Sequence, residues 1–460
     1  MANKARPYLF YGQTQSLCEV CLAVVPAKII FQQGNVYYQK RCLEHGVQKT
    51  LVSTDIAYFK RCKEYLKPGD MPGKFQTAIQ HGCPHDCGLC PDHEQHSCLA
   101  LFDIIDECNM YCPVCFANSA PGKGNPRSLE DIEKMLQTLL ASEQEPDLVQ
   151  VSGGEPTLHP HLLAILRRLK ASPIRHLMLN TNGIRIARDP ELVAGLASLM
   201  PGFEVYLQFD SLKASALQNI RGQDMRNIRI KALENLERHN ISTTLVCVIR
   251  KGVNDDEIGE LIQFAQQWRC VRGVTFQPVQ DAGRNEMDAD TAEGNRGGRI
   301  TLSEIRTRII EADNPFGDAD MIPLPCHPEN IAIGYGIKSA GTIVPVTGLL
   351  PREELLQGVT NTITFEKSAG LREAFLKLFS LDMCSEKTAE NLNTLLCCLP
   401  RIQGGGLTYE NVFRVVIIAF MDKYSFDIGS VKRSCIHFVE PDGKIYPFDT
   451  WNLFYRDKRP

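Results

Sequence analysis

The chain has 460 residues, 43% apolar and 23% charged, with 50 Lys and Arg against 54 Asp and Glu for a net charge of -4. That length leaves room for two or three domains with a sizeable core, and the near-neutral charge offers no overall basicity for a nucleic-acid partner. The strongest apolar run, Val415-Val416-Ile417-Ile418-Ala419-Phe420, is far short of the about 20 residues that cross a bilayer and reads as a core helix or strand. No signal-peptide core follows Met1-Ala2-Asn3-Lys4-Ala5-Arg6-Pro7, so a cytoplasmic protein is expected. In a reducing compartment its 18 cysteines, eleven of them before residue 116, point to metal sites rather than disulfides.

In chain order, Cys18-Glu19-Val20-Cys21 and Cys42-Leu43-Glu44-His45 flank strand-like segments at 27–31 and 36–38. Two knuckles separated by a hairpin resemble a zinc-ribbon or rubredoxin-like site for one structural zinc or iron ion. Cys18, Cys21 and Cys42 are the expected ligands, and the fourth is His45 or Cys62; residues 1–75 form this metal-binding region. The segment 76–98 then carries Cys83, Cys87 and Cys90, with Cys98 eight residues on. Four thiolates suit a closed auxiliary iron-sulfur cluster, with zinc as the alternative. His81, His85, His93 and His96 read as loop residues, since the thiolates suffice.

Cys108, Cys112 and Cys115 repeat the same Cys-x3-Cys-x2-Cys spacing just past the apolar run 99–105. Three thiolates without a near fourth leave one iron of a cluster open to another ligand. From there to residue 315 the sequence alternates. A helix capped by Ser128 leads to strand 148–151, helix 161–166, strand 176–179, helix 190–200 and strand 204–209. Helix 227–239, strand 243–249, helix 255–268 and strand 273–276 follow. Six such units predict an α/β fold, a parallel sheet curled by right-handed crossovers into a partial (β/α)6 barrel over 99–315. Polar groups gather at the predicted C-terminal strand ends, where such folds place their chemistry: Ser152-Gly153-Gly154-Glu155, Asn180-Thr181-Asn182-Gly183, Gln208 with Asp210, and Arg250 to Asn254.

The three-cysteine loop, a Gly-Gly-Glu ending the next strand, and this order of strand-end clusters resemble the radical S-adenosylmethionine (radical SAM) enzymes. The resemblance implies a [4Fe-4S] cluster on Cys108, Cys112 and Cys115 whose open iron takes SAM. It implies that Gly153, Gly154 and Glu155 grip the SAM amino group, and that Asn180, Asn182, Gln208, Asp210, Val253 and Asn254 contact the rest of the cofactor. Residues 81–119 with the preceding knuckle are similar to the group of archaeal tetraether lipid synthase and the class D radical SAM methyltransferases. That likeness implies carbon-carbon bond formation, by methylation or alkyl coupling, on a lipid or, with a methylenetetrahydrofolate-type donor in the class D case, a pterin-like substrate, with a flavodoxin or ferredoxin as reductant. Pro447-Phe448-Asp449 departs from a Pro-Phe-Cys pattern of some relatives.

Residues 316–460 are expected to form an α+β C-terminal domain after a polar loop at 286–299. Cys326, Cys435 and one of Cys397 and Cys398 could hold a further cluster, whereas Cys247 and Cys270 read as packing residues. A hairpin is expected over 437–448. Two other functions compete: a peptide-modifying maturase, which would also carry auxiliary clusters, and a zinc-ribbon nucleic-acid binder. No transmembrane segment is expected, although contact with a membrane surface is compatible with a lipid substrate.

Overall fold

A computed structural model describes residues 6–285, 298–339, 342–350, 352–357 and 409–456. Residues 286–297 of the loop expected at 286–299, together with Cys384, Cys397 and Cys398, lie outside the described residues. The chain opens with an antiparallel four-stranded sheet in sequential order, β1 (Leu9–Leu17), β2 (Val24–Gln32), β3 (Asn35–Cys42) and β4 (Gly46–Ser53). Because the β2-β3 turn lies at the opposite end, the β1-β2 and β3-β4 turns come together, and these are the two cysteine knuckles. Helix α1 (Ile56–Glu64) follows, its start capped by Asp55, and residues 66–98 then run without a regular helix or strand.

All six predicted strands form: β5 (Leu99–Asp103), β7 (Leu148–Ser152), β8 (His176–Thr181), β9 (Phe203–Gln208), β10 (Thr243–Ile249) and β11 (Val271–Pro278). A short β6 (Val114–Cys115) lies within the loop after β5. The six pair in parallel, each with the next in this series. Helices α2 (Leu129–Glu143), α3 (Leu162–Lys170), α4 (Ile184–Arg188), α5 (Pro190–Ala197), α6 (Ala214–Arg221), α7 (Arg226–Arg238) and α8 (Ile258–Gln266) make the crossovers. Strands of a helix-covered parallel sheet are apolar on both faces, and β5 and β7 are buried along their whole length. Ser128 accepts a hydrogen bond from the Asp131 backbone N–H at 3.1 Å, as expected of an N-cap.

Later residues extend this sheet on both sides. The elements are β12 (Arg284–Asn285), α9 (Leu302–Glu311), β13 (Ile322–Pro323), β14 (Ile331–Ser339), β15 (Thr342–Pro345), β16 (Val412–Ile418), β17 (Ile436–Val439) and β18 (Ile445–Pro447). The apolar run at 415–418 is therefore a strand, β16, which lies parallel to β11, while β17 lies parallel to β5 on the other edge. The sheet order is β13-β14-β16-β11-β10-β9-β8-β7-β5-β17-β18, with β15 on β14. The expected hairpin is β17-β18.

An ion pair shows how far the sheet curls. Arg414 on β16 donates to both oxygens of Glu204 on β9, at 2.9 and 2.8 Å, across the intervening strands β11 and β10. Thr244 and His176 complete the shell of this buried carboxylate. Burial alone would push the Glu204 carboxyl up, but Arg414 and His176 bring it well below the usual range. Removing one partner of such a pair costs about 3–5 kcal/mol because the other charge stays buried, so Arg414→Met is expected to lose that much in urea unfolding. With its folded pKa depressed, Glu204 adds stability that is complete above its unfolded value of about 4.3. That contribution falls away as the pH drops, and the difference between wild type and variant should shrink in acid.

Candidate active site and metal centres

The loop after β5 lies at the C-terminal end of the barrel against the end of β7. Gly154 N–H donates to Ile105 O at 2.7 Å, and Glu155 N–H donates to Glu107 O at 2.9 Å. A Cβ on Gly153 would stand 2.2 Å from Ile105 O, and one on Gly154 would stand 2.1 Å from Glu107 O. The two glycines thus admit the cysteine loop's own backbone. From the other side Arg284, on β12, clamps the loop: it donates to Cys112 O at 2.7 Å and Ser119 O at 2.7 Å and lies over the Tyr111 ring. Strands β6 and β12 pair at the same place.

Within this frame Cys108 and Cys112 are buried and Cys115 is partly exposed. Burial first, then the neighbouring Glu155, Cys112 and Cys115, push the Cys108 thiol up to about 12. Burial also raises Cys112, opposed by the Arg221 guanidinium. Arg221 ends α6 and stands between Cys112 and Asp210, the part of the site that sequence reasoning missed; an arginine in a helix's last turn carries no distinguishing signal. Asp210 accepts from Arg221 at 2.7 and 2.6 Å, from Arg229 at 2.8 Å and from Val248 N–H at 3.1 Å. Burial pushes its carboxyl up, but the two arginines prevail and hold it at about 2.

Several residues expected at the cofactor have protein partners. Glu155 Oε1 accepts from Thr157 N–H at 3.1 Å, Thr157 Oγ1 at 2.6 Å and Thr181 Oγ1 at 2.7 Å, and Oε2 from Asn182 N–H at 2.8 Å. It ties the end of β7 to the end of β8, and burial raises its carboxyl. Asn182 donates to Asn109 Oδ1 at 2.7 Å, fastening that turn to the cysteine loop. Asn254 is spent on the backbone, donating to Asp210 O at 3.0 Å and Val248 O at 2.8 Å. Val253 packs with Val114, Ile220 and Val279. Gln208, half-buried, ends β9. Asn180 Oδ1 is buried without a hydrogen-bond partner. An orphaned acceptor at a strand end, beside a loop of three thiols, fits a polar cofactor held at a cluster.

At the N-terminal sheet Cys18, Cys21, Cys42 and His45 place their ligand atoms within 4.8 Å of one another. His45 Nδ1 is 3.5 Å from both Cys18 Sγ and Cys42 Sγ. Of the two candidates for the fourth ligand, His45 is the one that stands with the three cysteines. Cys62, expected as the alternative, lies on the buried face of α1, and burial pushes its thiol up to about 12.

Cys83, Cys87 and Cys90 line one small cavity with Lys432, Pro447 and Thr450, and Cys87 Sγ is 3.2 Å from Thr450 Oγ1. Cys98, expected to complete this trio, is placed elsewhere, with Cys326 and Cys435. The reason is strand register: Leu99 on β5 pairs with Ile436 on β17, so the residues just before them, Cys98 and Cys435, become neighbours. Asp449, in the departing Pro447-Phe448-Asp449, is buried, accepts from Met421 N–H at 2.6 Å, and is pushed up to about 7 by burial.

Glu155→Ala would leave Thr181 and Asn182 donors buried without their acceptor, at about 1–3 kcal/mol. The expected outcome is that loss in urea unfolding of the metal-free chain, together with weaker SAM binding in calorimetric titration of the reconstituted protein.

Residues 102–265 match the radical SAM superfamily, and residues 10–54 match the HMPTM N-terminal zinc ribbon domain. The chain is 30% identical over 491 residues to 7,8-dihydro-6-hydroxymethylpterin dimethyltransferase of Methanocaldococcus jannaschii, covering 97% of this chain and 94% of that protein. A probable GTP 3',8-cyclase of Pyrococcus abyssi is 30% identical over 164 residues, 35% of this chain and 51% of the relative. Among solved structures, Streptococcus suis SuiB bound to S-adenosylmethionine aligns at a TM-score of 0.37 and 17% identity, over 46% of each chain. With ribbon, barrel and C-terminal strands all inside the near-full-length match, the chain belongs to the radical SAM superfamily, in the group of pterin-associated class D methyltransferases.

Proposed function

We propose that the chain methylates an unactivated carbon of a small pterin-like molecule by radical SAM chemistry. The reading is supported by the extent of the likeness to the pterin dimethyltransferase, which takes in the ribbon and the C-terminal strands as well as the barrel shared with the cyclases. A second support is a cavity of about 660 Å³ between the ribbon and the C-terminal ends of β11 and β16. Lys49, Arg299, Glu304, Asn330, Asp422 and Asp427 contribute to its walls. A space of this size, whose walls mix these charged and amide groups with aromatic and aliphatic side chains such as Tyr58, Phe59 and Phe420, suits a heteroaromatic ligand better than a long lipid chain. Its wall at Val279 packs against Val114 of the cysteine loop, so the cavity backs onto the cluster loop without being lined by its cysteines.

Bound by Cys108, Cys112 and Cys115 and reduced, a [4Fe-4S] cluster supplies the electron that cleaves SAM to the 5'-deoxyadenosyl radical. The chain's own residues position and enclose. Arg284 and the Gly153-Gly154 contact fix the loop, Arg221 places positive charge beside Cys112, and Asn180 Oδ1 offers an acceptor to SAM. We assign an auxiliary cluster to Cys83, Cys87 and Cys90 and a zinc or iron ion to Cys18, Cys21, Cys42 and His45. A low-potential electron carrier such as a flavodoxin or ferredoxin would be the reductant, and the cytoplasm, where thiolates stay reduced, is the expected compartment.

Anaerobically reconstituted protein, given SAM as the radical source, a methylenetetrahydrofolate-type compound as the one-carbon donor, reductant to bring the transferred carbon to the methyl level and a deuterated reduced 6-hydroxymethylpterin, is expected to release 5'-deoxyadenosine carrying deuterium and to yield a methylated pterin. Deuterium arriving only from a lipid or peptide would overturn the substrate class. Cys112→Ala is expected to abolish SAM cleavage, measured as 5'-deoxyadenosine by chromatography; cleavage at the parent rate would remove the loop from the site.

A further inference from the structure

At the other end of the barrel, the N-terminal ends of β5 and β17 bring Cys98 and Cys435 side by side, and Leu99 N–H donates to Cys435 O at 3.0 Å. Cys326 arrives from the turn between β13 and β14. These strands belong to opposite edges of the sheet: β13 and β14 end one side, β17 and β18 the other. The three thiols therefore meet across the seam where the curled sheet comes round on itself. Cys98, Cys326 and Cys435 are all nearly inaccessible, at 0%, 2% and 0% exposure. Their sulfurs lie within 4.8 Å of one another, and Cys326 Sγ and Cys435 Sγ are 3.6 Å apart.

His96 stands at the edge of this trio, beside Cys98. His96 Nε2 stands 3.5 Å from Cys98 Sγ, and the other ring nitrogen, Nδ1, is 2.8 Å from Glu143 Oε2 at the end of α2. Glu143 Oε1 also accepts from Ser97 N–H at 2.9 Å. A carboxylate on the distal nitrogen of an imidazole is the arrangement that orients a histidine toward a metal and fixes its tautomer. Gln95 extends the shell, accepting from His96 N–H at 3.1 Å and donating to Cys326 O at 3.4 Å.

We propose that Cys98, Cys326, Cys435 and His96 bind a single tetrahedral metal ion, zinc by its donor set, which clasps the two edges of the barrel sheet. Two thiolates on one zinc, each at about 2.3 Å, stand about 3.8 Å apart, close to the separation of Cys326 and Cys435. A four-iron cluster gives each thiolate its own iron and holds the sulfurs further apart. Three thiolates and an imidazole form a closed structural set with no open position, which suits a dry seam remote from the SAM loop. The inference does not depend on the proposed substrate.

The test is zinc, iron and sulfide analysis of the full-length protein, purified anaerobically, beside Cys326→Ser. The variant is expected to hold about one equivalent of zinc less per chain, with iron and sulfide unchanged. Equal zinc in both proteins, a deficit appearing as iron and sulfide, or a Cys326-Cys435 disulfide in the peptide map would overturn the assignment. Glu143→Gln keeps every proposed ligand and covers the case in which Cys326→Ser fails to fold. It is expected to weaken the hold on the ion by about 10- to 100-fold, read as faster zinc release to a chromogenic chelator. Release at the wild-type rate would overturn the carboxylate-histidine-metal arrangement.

Discussion

The parallel pairing of β5 with β7 is the constraint on which the site rests. It sets Ile105 and Glu107 beside Gly153 to Glu155, and the two backbone hydrogen bonds formed there give the cysteine loop one position relative to the barrel. The later turns then stack outward. Glu155 fixes the turn after β8 through Thr181 and Asn182, and Asn182 returns to the loop through Asn109. After β9, Asp210 gathers Arg221 and Arg229, and Arg221 comes back to Cys112. Each strand end is thus tied to the same short loop. In a low-dielectric pocket such connected polar networks favour a single arrangement.

The same view explains why several residues that look like ligand contacts in sequence are occupied by the protein. A strand-end Glu or Asp is equally suited to accept a cofactor's donors and to collect backbone N–H groups and guanidinium ions. Burial decides which role is open. Glu155 and Asp210 are both deeply buried, and at that depth an unpaired carboxylate is too costly to leave waiting for a ligand. Protein donors fill them, from the turn after β8 for Glu155 and from Arg221 and Arg229 for Asp210.

The barrel was legible in sequence because its signals are local: apolar runs of strand length, amphipathic helices between them and a capped start at Ser128. All six predicted strands formed. The three-cysteine loop was legible because its ligands are close in the chain and its neighbour across the sheet is the next strand. What sequence did not disclose depends on pairings between distant segments. Nothing near residue 415 indicates that it lies parallel to β11, and nothing near 436 indicates that it lies parallel to β5. Cys98 shows the consequence: eight residues from Cys90 it reads as that trio's partner, yet its neighbours are 228 and 337 positions further on, at Cys326 and Cys435. In the ribbon, by contrast, His45 and Cys62 were both within reach, and the sheet's own turns decided between them.

The ribbon is also joined to the far end of the chain. Ser16 Oγ donates to Phe426 O at 2.5 Å, Tyr38 Oη donates to Asp427 Oδ2 at 3.1 Å, and the buried Lys40 ammonium donates to Lys423 O at 3.0 Å and Tyr424 O at 2.6 Å. These partners are between 383 and 410 residues apart in sequence. During synthesis the ribbon is made hundreds of residues before the segment it docks on, so its docking must wait until residue 427 has left the ribosome. Until then the Lys40 ammonium lacks these two carbonyls, and within the ribbon Glu19 stands 3.7 Å from it. The ribbon is thus made early and docked late.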